Sequence, residues 1–423
     1  MYLSGSKWNL HKKRRRSNPW RVLLLLILIA LAVYLWQFYV PTVPPLFIPT
    51  PTPTRSPASF VLEAESLFQA GKLDQAEASY LKAIAVNPRE AAYYIELARV
   101  RVFAGKYEQA EIVARDALVI DTDSPLAHAV LGWSLDFRAS QVQELTIKYE
   151  LLGDALDEVE KAMKLNPDSA LIRAYYAEIL IDNDNTRYEQ ALGEAQLAVQ
   201  MDPDLLEAQR ALGYVWELTG NRQQALEAYQ AAMQINPNLP RLHIDIGNML
   251  RALGDVDGAR ASYLNAIALA PTSTEPLTLI AQLYAGTGEF GKASQFAKDA
   301  VDLDPSNPRL HGNLGRMYYH NNVYDEAIIQ LELAIRGGPA EDGVWVDGLP
   351  LNPADGRVVE FYYTYGLALA KQGRCEEAVP IFEALLRGVP EDEIAVFNAQ
   401  EGLILCSQLE PTPTPEGTAS PSP

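Results

Sequence analysis

The residues best equipped for chemistry in this chain are two cysteines, Cys375 and Cys406, five histidines, and the acid-amide run Asp182-Asn183-Asp184-Asn185. A calcium loop built on that run would need glycine at its sixth position and a bidentate Glu at its twelfth. Those positions hold Arg187 and Gly193, so the pattern fails. No HExxH pair, phosphate-cradling glycine loop or nucleophile elbow occurs. The Asp and Glu residues are scattered as solvated helix faces rather than paired. The expectation is a chain that is not an enzyme and needs no metal and no cofactor.

What positions these residues is a frame of nine alanines: Ala76, Ala110, Ala155, Ala191, Ala225, Ala259, Ala293, Ala327 and Ala378. Successive steps are 34, 45, 36, 34, 34, 34, 34 and 51 residues. A recurring 34-residue step marks helical hairpins that bury their apolar faces by stacking on their neighbours. With the alanine as position 20, position 8 is always small: Ala64, Ala98, Gly132, Ala177, Gly213, Gly247, Ala281, Gly315 and Gly366. Position 24 is often bulky (Tyr80, Tyr229, Tyr263, Leu331, Phe382), and position 32 is proline in all units but the one holding Thr122. Proline there ends the second helix. His128, His243 and His311 share position 4, so they recur as packing residues because the repeat recurs.

These positions resemble the tetratricopeptide repeat family over residues 58–392, most clearly in Leu206–Leu239 and Pro240–Ser273. The resemblance implies an all-α fold, a right-handed superhelical solenoid of nine hairpins whose first helices line a concave groove. Positions 2, 5, 9 and 12 of those helices would face inward. They include Arg99, Trp133, Glu178, Arg210, Tyr214, Glu217, Asn248, Arg251, Gln282, Arg316 and Tyr319. This mixture of Arg, aromatics and amides suits recognition of a protein or extended peptide segment. The lysine/asparagine clamp that some family members use for C-terminal carboxylates is not matched. Residues 393–409 continue the first-helix pattern without a second helix, as a capping helix should. Cys375 begins the ninth unit's second helix and Cys406 lies near the end of the cap. Adjacent solenoid helices run antiparallel, so the two thiols should meet as a disulfide, with two free buried thiols as the alternative.

Charge is unevenly spread. Residues 1–21 hold seven Lys/Arg and no acid; the chain is −19 overall, so the remainder carries −26. An acidic body argues against nucleic acid as a partner. The basic stub precedes Val22–Val40, 19 residues with Gln37 as the one strongly polar member. A helix of that length spans about 28 Å, enough to cross a bilayer. The expected topology is a signal anchor with a cytoplasmic N-terminus, with a cleaved signal peptide ending near Ala30-Leu31-Ala32 as the competing reading. Residues 41–57 contain seven prolines, an extended spacer, and 410–423 form a Pro/Thr/Ser tail read as disordered. The expected location is the plasma membrane, single-pass with the body extracytoplasmic, in a cell of bacterial style.

Three departures from the period mark where something was added. Residues 136–150 read as a longer hairpin turn or a contact extension, and 182–187 as a short insertion. In 341–357 the alternation Val344-Trp345-Val346, an Asp347-Gly348 turn and Leu349-Pro350-Leu351 predict a small β-hairpin carrying Trp345, a candidate contact. The function expected from all this is a membrane-anchored scaffold for protein–protein interaction in assembly of a cell-envelope complex. The alternative is a substrate-handling or regulatory arm in envelope polysaccharide assembly.

Overall fold

Each alanine step becomes an antiparallel helix pair in the computed structural model, which describes residues 18–39, 55–142 and 144–409. The chain divides into two units, Met1–Arg55 and Ser56–Pro423. In the first, α1 (Pro19–Tyr34) is capped by Asn18, whose side chain accepts from the Trp20 N–H at 3.1 Å, and runs into a π-helical turn, Leu35–Tyr39. Pro19–Phe38, with a mean hydropathy of 2.2 and no buried side chain, is long and apolar enough to cross a membrane. The basic cluster Lys7–Arg16, most of the proline-rich spacer and the 410–423 tail lie outside the described residues.

The second unit is nine hairpins and a cap. They are α2/α3 (Pro57–Gln69, Leu73–Val86), α4/α5 (Ala91–Phe103, Tyr107–Ile120), α6/α7 (Pro125–Gln141, Leu145–Leu165), α8/α9 (Ala170–Asn183, Tyr188–Met201) and α10/α11 (Leu206–Leu218, Arg222–Ile235). Then follow α12/α13 (Pro240–Leu253, Val256–Leu269), α14/α15 (Thr274–Gly286, Phe290–Leu303), α16/α17 (Pro308–His320, Tyr324–Arg336), α18/α19 (Gly356–Lys371, Cys375–Gly388) and the capping helix α20 (Glu393–Leu409). The small position 8 is explained by its neighbour: a Cβ at Gly247 would lie 2.6 Å from the Tyr263 ring, the position-24 residue of the same hairpin. Every alanine of the frame is fully buried. The solenoid and its cap are as the repeat pattern predicts.

Seven hairpins turn through a left-handed residue, glycine in six and Asn322 (φ 62) in the seventh. This closes the first helix without a Cβ clash or, for Asn, with a tolerated one. The two hairpins without it are those lengthened at 136–150 and 182–187. At the first of these the added residues do not make a longer turn. They lengthen both helices, α6 to 17 residues and α7 to 21, against 13 or 14 in α2–α5. At the second, Asp184 caps a 3-10 turn (Asn185–Arg187), accepting from the Thr186 N–H at 2.9 Å and hydroxyl at 2.7 Å.

The third insertion does form a hairpin, with different partners from those expected. β2 (Trp345–Asp347) pairs antiparallel with the upstream β1 (Gly337–Pro339), in the register Gly338 opposite Val346. The reversal occurs at residues 340–344, where Gly343 takes φ 84, and not at Asp347-Gly348. Gly337 and Gly338 supply the positive φ values that let the end of α17 turn directly into a strand, a signal the alternation 344–346 does not contain. Val346 is buried and Trp345 points outward.

Candidate interaction surface

The inner-face positions fall into two groups with different surroundings. Those of α4, α6, α8 and α10 meet one another across the inside of the solenoid. The Trp133 indole N–H donates to Glu178 at 2.8 Å, and Arg210 donates to the same carboxylate oxygen. The Arg210 guanidinium sits 5.2 Å from the Phe137 ring centre and 5.4 Å from that of Trp133, within cation–π range. Trp133 stacks on Tyr175 at 4.4 Å. Arg99 joins Glu96 at 2.6 Å and also Glu207, 108 residues along the chain. Tyr214 donates to Asp182 at 2.8 Å, and Glu217 accepts from Tyr229 at 2.6 Å. Trp133, Glu178 and Arg210 are at most 2% exposed. The face is therefore inward, as the resemblance implies, but three of its residues are core.

The chain closes over this core. The Asn236 amide donates to the Phe68 carbonyl at 3.3 Å and the Asn238 amide to that of Gln69 at 2.8 Å, tying the α11–α12 turn to the end of α2. The approach is so tight that a Cβ at Gly71 would lie 2.1 Å from the Asn238 carbonyl oxygen. Beside this seam lies a cavity of about 670 Å³, walled by Phe103, Tyr107 and Phe137 on one side and by Arg241, Ile244 and Pro271 on the other. Phe137 belongs to the lengthened α6, so the first insertion builds part of that wall.

Burial dominates the electrostatics here. It pushes the Glu178 carboxyl up to about 7 despite the opposing Arg210. Asp136 and Asp182 are raised too, chiefly by burial; Asp136 gains further from the neighbouring Asp182 and Glu178 charges. For Arg210, burial works against the charge, but Glu178 and Asp245 more than offset it and hold the guanidinium charged. Glu178 Oε1, Asp136 Oδ1, Asp245 Oδ2 and Arg210 Nε are buried without a hydrogen-bond partner among the described residues. Such a cluster is costly to disturb, since removing one member leaves a charge stranded.

The second group lies on α12 to α18, and none of its members is fully buried, as is also true of Arg99, Tyr214 and Glu217 in the first. Arg251 is exposed, and Asn248, Gln282, Arg316 and Tyr319 are half-buried. Asn248 accepts from Tyr263 at 2.8 Å. Arg316 pairs with Glu360 at 2.5 Å, while its Nε and Nη1 have no partner among the described residues. Burial depresses the Arg316 guanidinium even with Glu360 beside it. Tyr319 meets His320 edge-on at 5.4 Å, and Tyr363, pushed up to about 12 by burial and Glu360, continues the surface toward α20. Trp345, 66% exposed, stands on the inserted hairpin. Cys375 and Cys406 are bonded to each other, Cα–Cα 5.4 Å, joining the start of α19 to the end of α20.

The histidines do more than pack. Nε2 of His128, His243 and His311 each bonds the carbonyl six residues back, at 3.1, 2.8 and 2.9 Å. Tyr94 and Gln209 make the same bond at the same repeat position. In these five units position 4 is thus a tie across the inter-repeat turn. Phe60 and Leu277 place apolar side chains at the same position, and Arg173 and Tyr362 donate instead to Glu194 and the Leu349 carbonyl.

A tetratricopeptide repeat model matches residues 61–125, 183–240 and 278–342, and a second such model matches 240–273, together just over half of the chain. The chain belongs to the tetratricopeptide repeat family. Similar solved structures include the APC/C hetero-tetramer Cut9-Hcn1, with 15% identity and a TM-score of 0.50 over 64% of this chain. This chain spans only 51% of that one. The human IFIT1 dimer with PPP-AAAA matches at 17% identity and a TM-score of 0.50, over 78% of this chain and 82% of that one. At such identities the likeness concerns the fold alone. No curated protein matches the chain in sequence. Tetratricopeptide repeat arrays are protein-interaction scaffolds, typically without catalytic activity, and their partners are proteins or peptides.

Proposed function

We propose that this chain is a membrane-anchored scaffold that holds a protein or peptide partner outside the cytoplasm, in assembly of a cell-envelope complex. Residues 1–21 form the cytoplasmic stub, 22–40 the anchor, 41–57 a spacer, 58–392 the binding array, 393–409 its cap and 410–423 a tail. The reading is supported by one observation above others. Trp133, Glu178 and Arg210 are core, and Arg251 is the exposed member of the inner-face set, so partner contact is assigned from α12 onward, to Asn248, Arg251, Gln282, Arg316 and Tyr319. Location outside the cytoplasm is supported by the basic stub before the apolar helix and by the disulfide, a bond that persists in oxidising compartments.

The test is crosslinking of the full chain in native membranes, followed by identification of what is captured. A combined Arg251→Ala, Arg316→Ala, Tyr319→Ala variant should lose the captured partner while keeping its helical content. Undiminished capture by that variant, or no protein captured by the unaltered chain, would overturn the reading.

A further inference from the structure

Among the described residues, the last helix of the array, α20, carries an apolar face with no partner. The side of α20 that packs on α18 and α19 is made of Ala395, Ala399, Gly402 and Cys406, all buried. Helical periodicity places Ile394, Phe397 and Ile404 on the opposite side, and they are 65%, 61% and 49% exposed. Single exposed apolar side chains are ordinary, but three aligned over three turns form a contact strip. Glu401 lies within the same strip, and Glu391, Asp392 and Glu393 stand at its start. From Gly388 to Pro423 the chain holds six acidic residues and no Lys or Arg.

We propose that this strip docks an amphipathic helix of a partner protein, one whose apolar ridge is flanked by Lys and Arg. This deepens the scaffold reading and rests on it, placing the partner's anchor at the end of the array. Shape favours a helix: every helix from α2 to α19 is packed by the one that follows, and α20 offers the next such position with no successor among the described residues. Charge fixes the sign. A second copy of this chain, paired strip to strip, would set acid against acid, and an anionic lipid surface would be repelled. A basic-flanked helix gains from both the apolar ridge and the acidic rim.

The test uses the full chain in phosphatidylcholine nanodiscs, with empty nanodiscs as reference, and a synthetic Leu/Lys amphipathic helix about five turns long. Binding should fall at least tenfold in Phe397→Asp/Ile404→Asp, persist in Phe397→Leu, weaken with salt, and be absent for a Leu/Glu helix with the same apolar ridge. Both variants should keep the Cys375–Cys406 bond, which reports an intact cap. Equal binding of the Leu/Glu helix, indifference to Phe397→Asp/Ile404→Asp, or self-association of the chain that Phe397→Asp abolishes would each overturn the proposal. If the Leu/Lys helix does not bind while the Arg251/Arg316/Tyr319 variant still loses partner capture in membranes, the docking strip falls and the scaffold reading stands.

Discussion

Arg210 and Arg316 stand at inner-face positions 5 and 9 of their first helices, yet one is core and the other half-buried. Arg210 is wrapped by Glu178, Trp133 and Phe137, and the chain closes over it where Asn236 and Asn238 reach α2. Arg316 has Glu360 beside it, and the two side chains are 13% and 22% exposed. The repeat sets which way a residue points; what lies across the interior decides whether it meets water. The first half of this array holds Trp133, Glu178 and Arg210 as core, and the second half buries none of its inner-face set fully and leaves Arg251 exposed.

The largest difference should appear when each arginine is removed. Arg210→Met strands Glu178 in the interior and should cost about 3–5 kcal/mol in urea unfolding. Arg316→Met leaves Glu360 paired with Arg357 at 2.8 Å and should cost less, about 1–2 kcal/mol. Equal losses would erase the distinction between the halves. Next comes the disulfide, which belongs to the second half. Cys406→Ser opens a 31-residue loop and should remove about 3–4 kcal/mol in the chain-entropy account. Hydrogen exchange should then quicken in α18–α20 and stay unchanged in α4–α10.

Acidity should separate the halves by sign. Glu178 holds its proton more tightly when folded, at about 7 against an ordinary 4.5. Its contribution is complete below pH 4.5 and lost as pH rises through about 7, so protection factors in α6–α10, corrected for the intrinsic rise of amide exchange with pH, should be lower at pH 8 than at pH 5. Asp355 shifts the other way: burial would raise it, but Arg309 and the Val358 N–H outweigh burial and lower it below 3.8. Its contribution is present above that value and fades as pH falls through the lower folded one. Protection of the α16–α18 contact should therefore decline only in acid. The smallest effect expected is at the seam, where Asn238→Ala removes one amide–carbonyl bond and about 1 kcal/mol. Exchange at Gly71 and Lys72 would report it.

The fold was legible because its determinants are local and recur: Ala at position 20, small residues at 8, proline at 32. The inner face was legible in direction and not in environment. Glu207 meets Arg99 from 108 residues away, and no spacing rule reaches that far. The β-hairpin at 337–347 illustrates the same limit at short range. Alternation marked Val344-Trp345-Val346 as a strand, but the choice between upstream and downstream partners lay in the φ values of Gly337 and Gly338. Position 4 was read as packing because it recurs with the repeat, and Tyr94, His128, Gln209, His243 and His311 there also share a donor that bonds the carbonyl six residues back.

Hydroxyl-radical footprinting of the unmodified full chain in membranes, read residue by residue by mass spectrometry, tests the central claim most directly. Tyr319, Tyr363 and Phe397 should be oxidised readily, and Trp133 and Tyr175 should be protected despite the high intrinsic reactivity of an indole. Oxidation of Trp133 at a rate comparable to Phe397 would mean that the first half of the inner face is open to solvent, and the division of the array proposed here would be wrong.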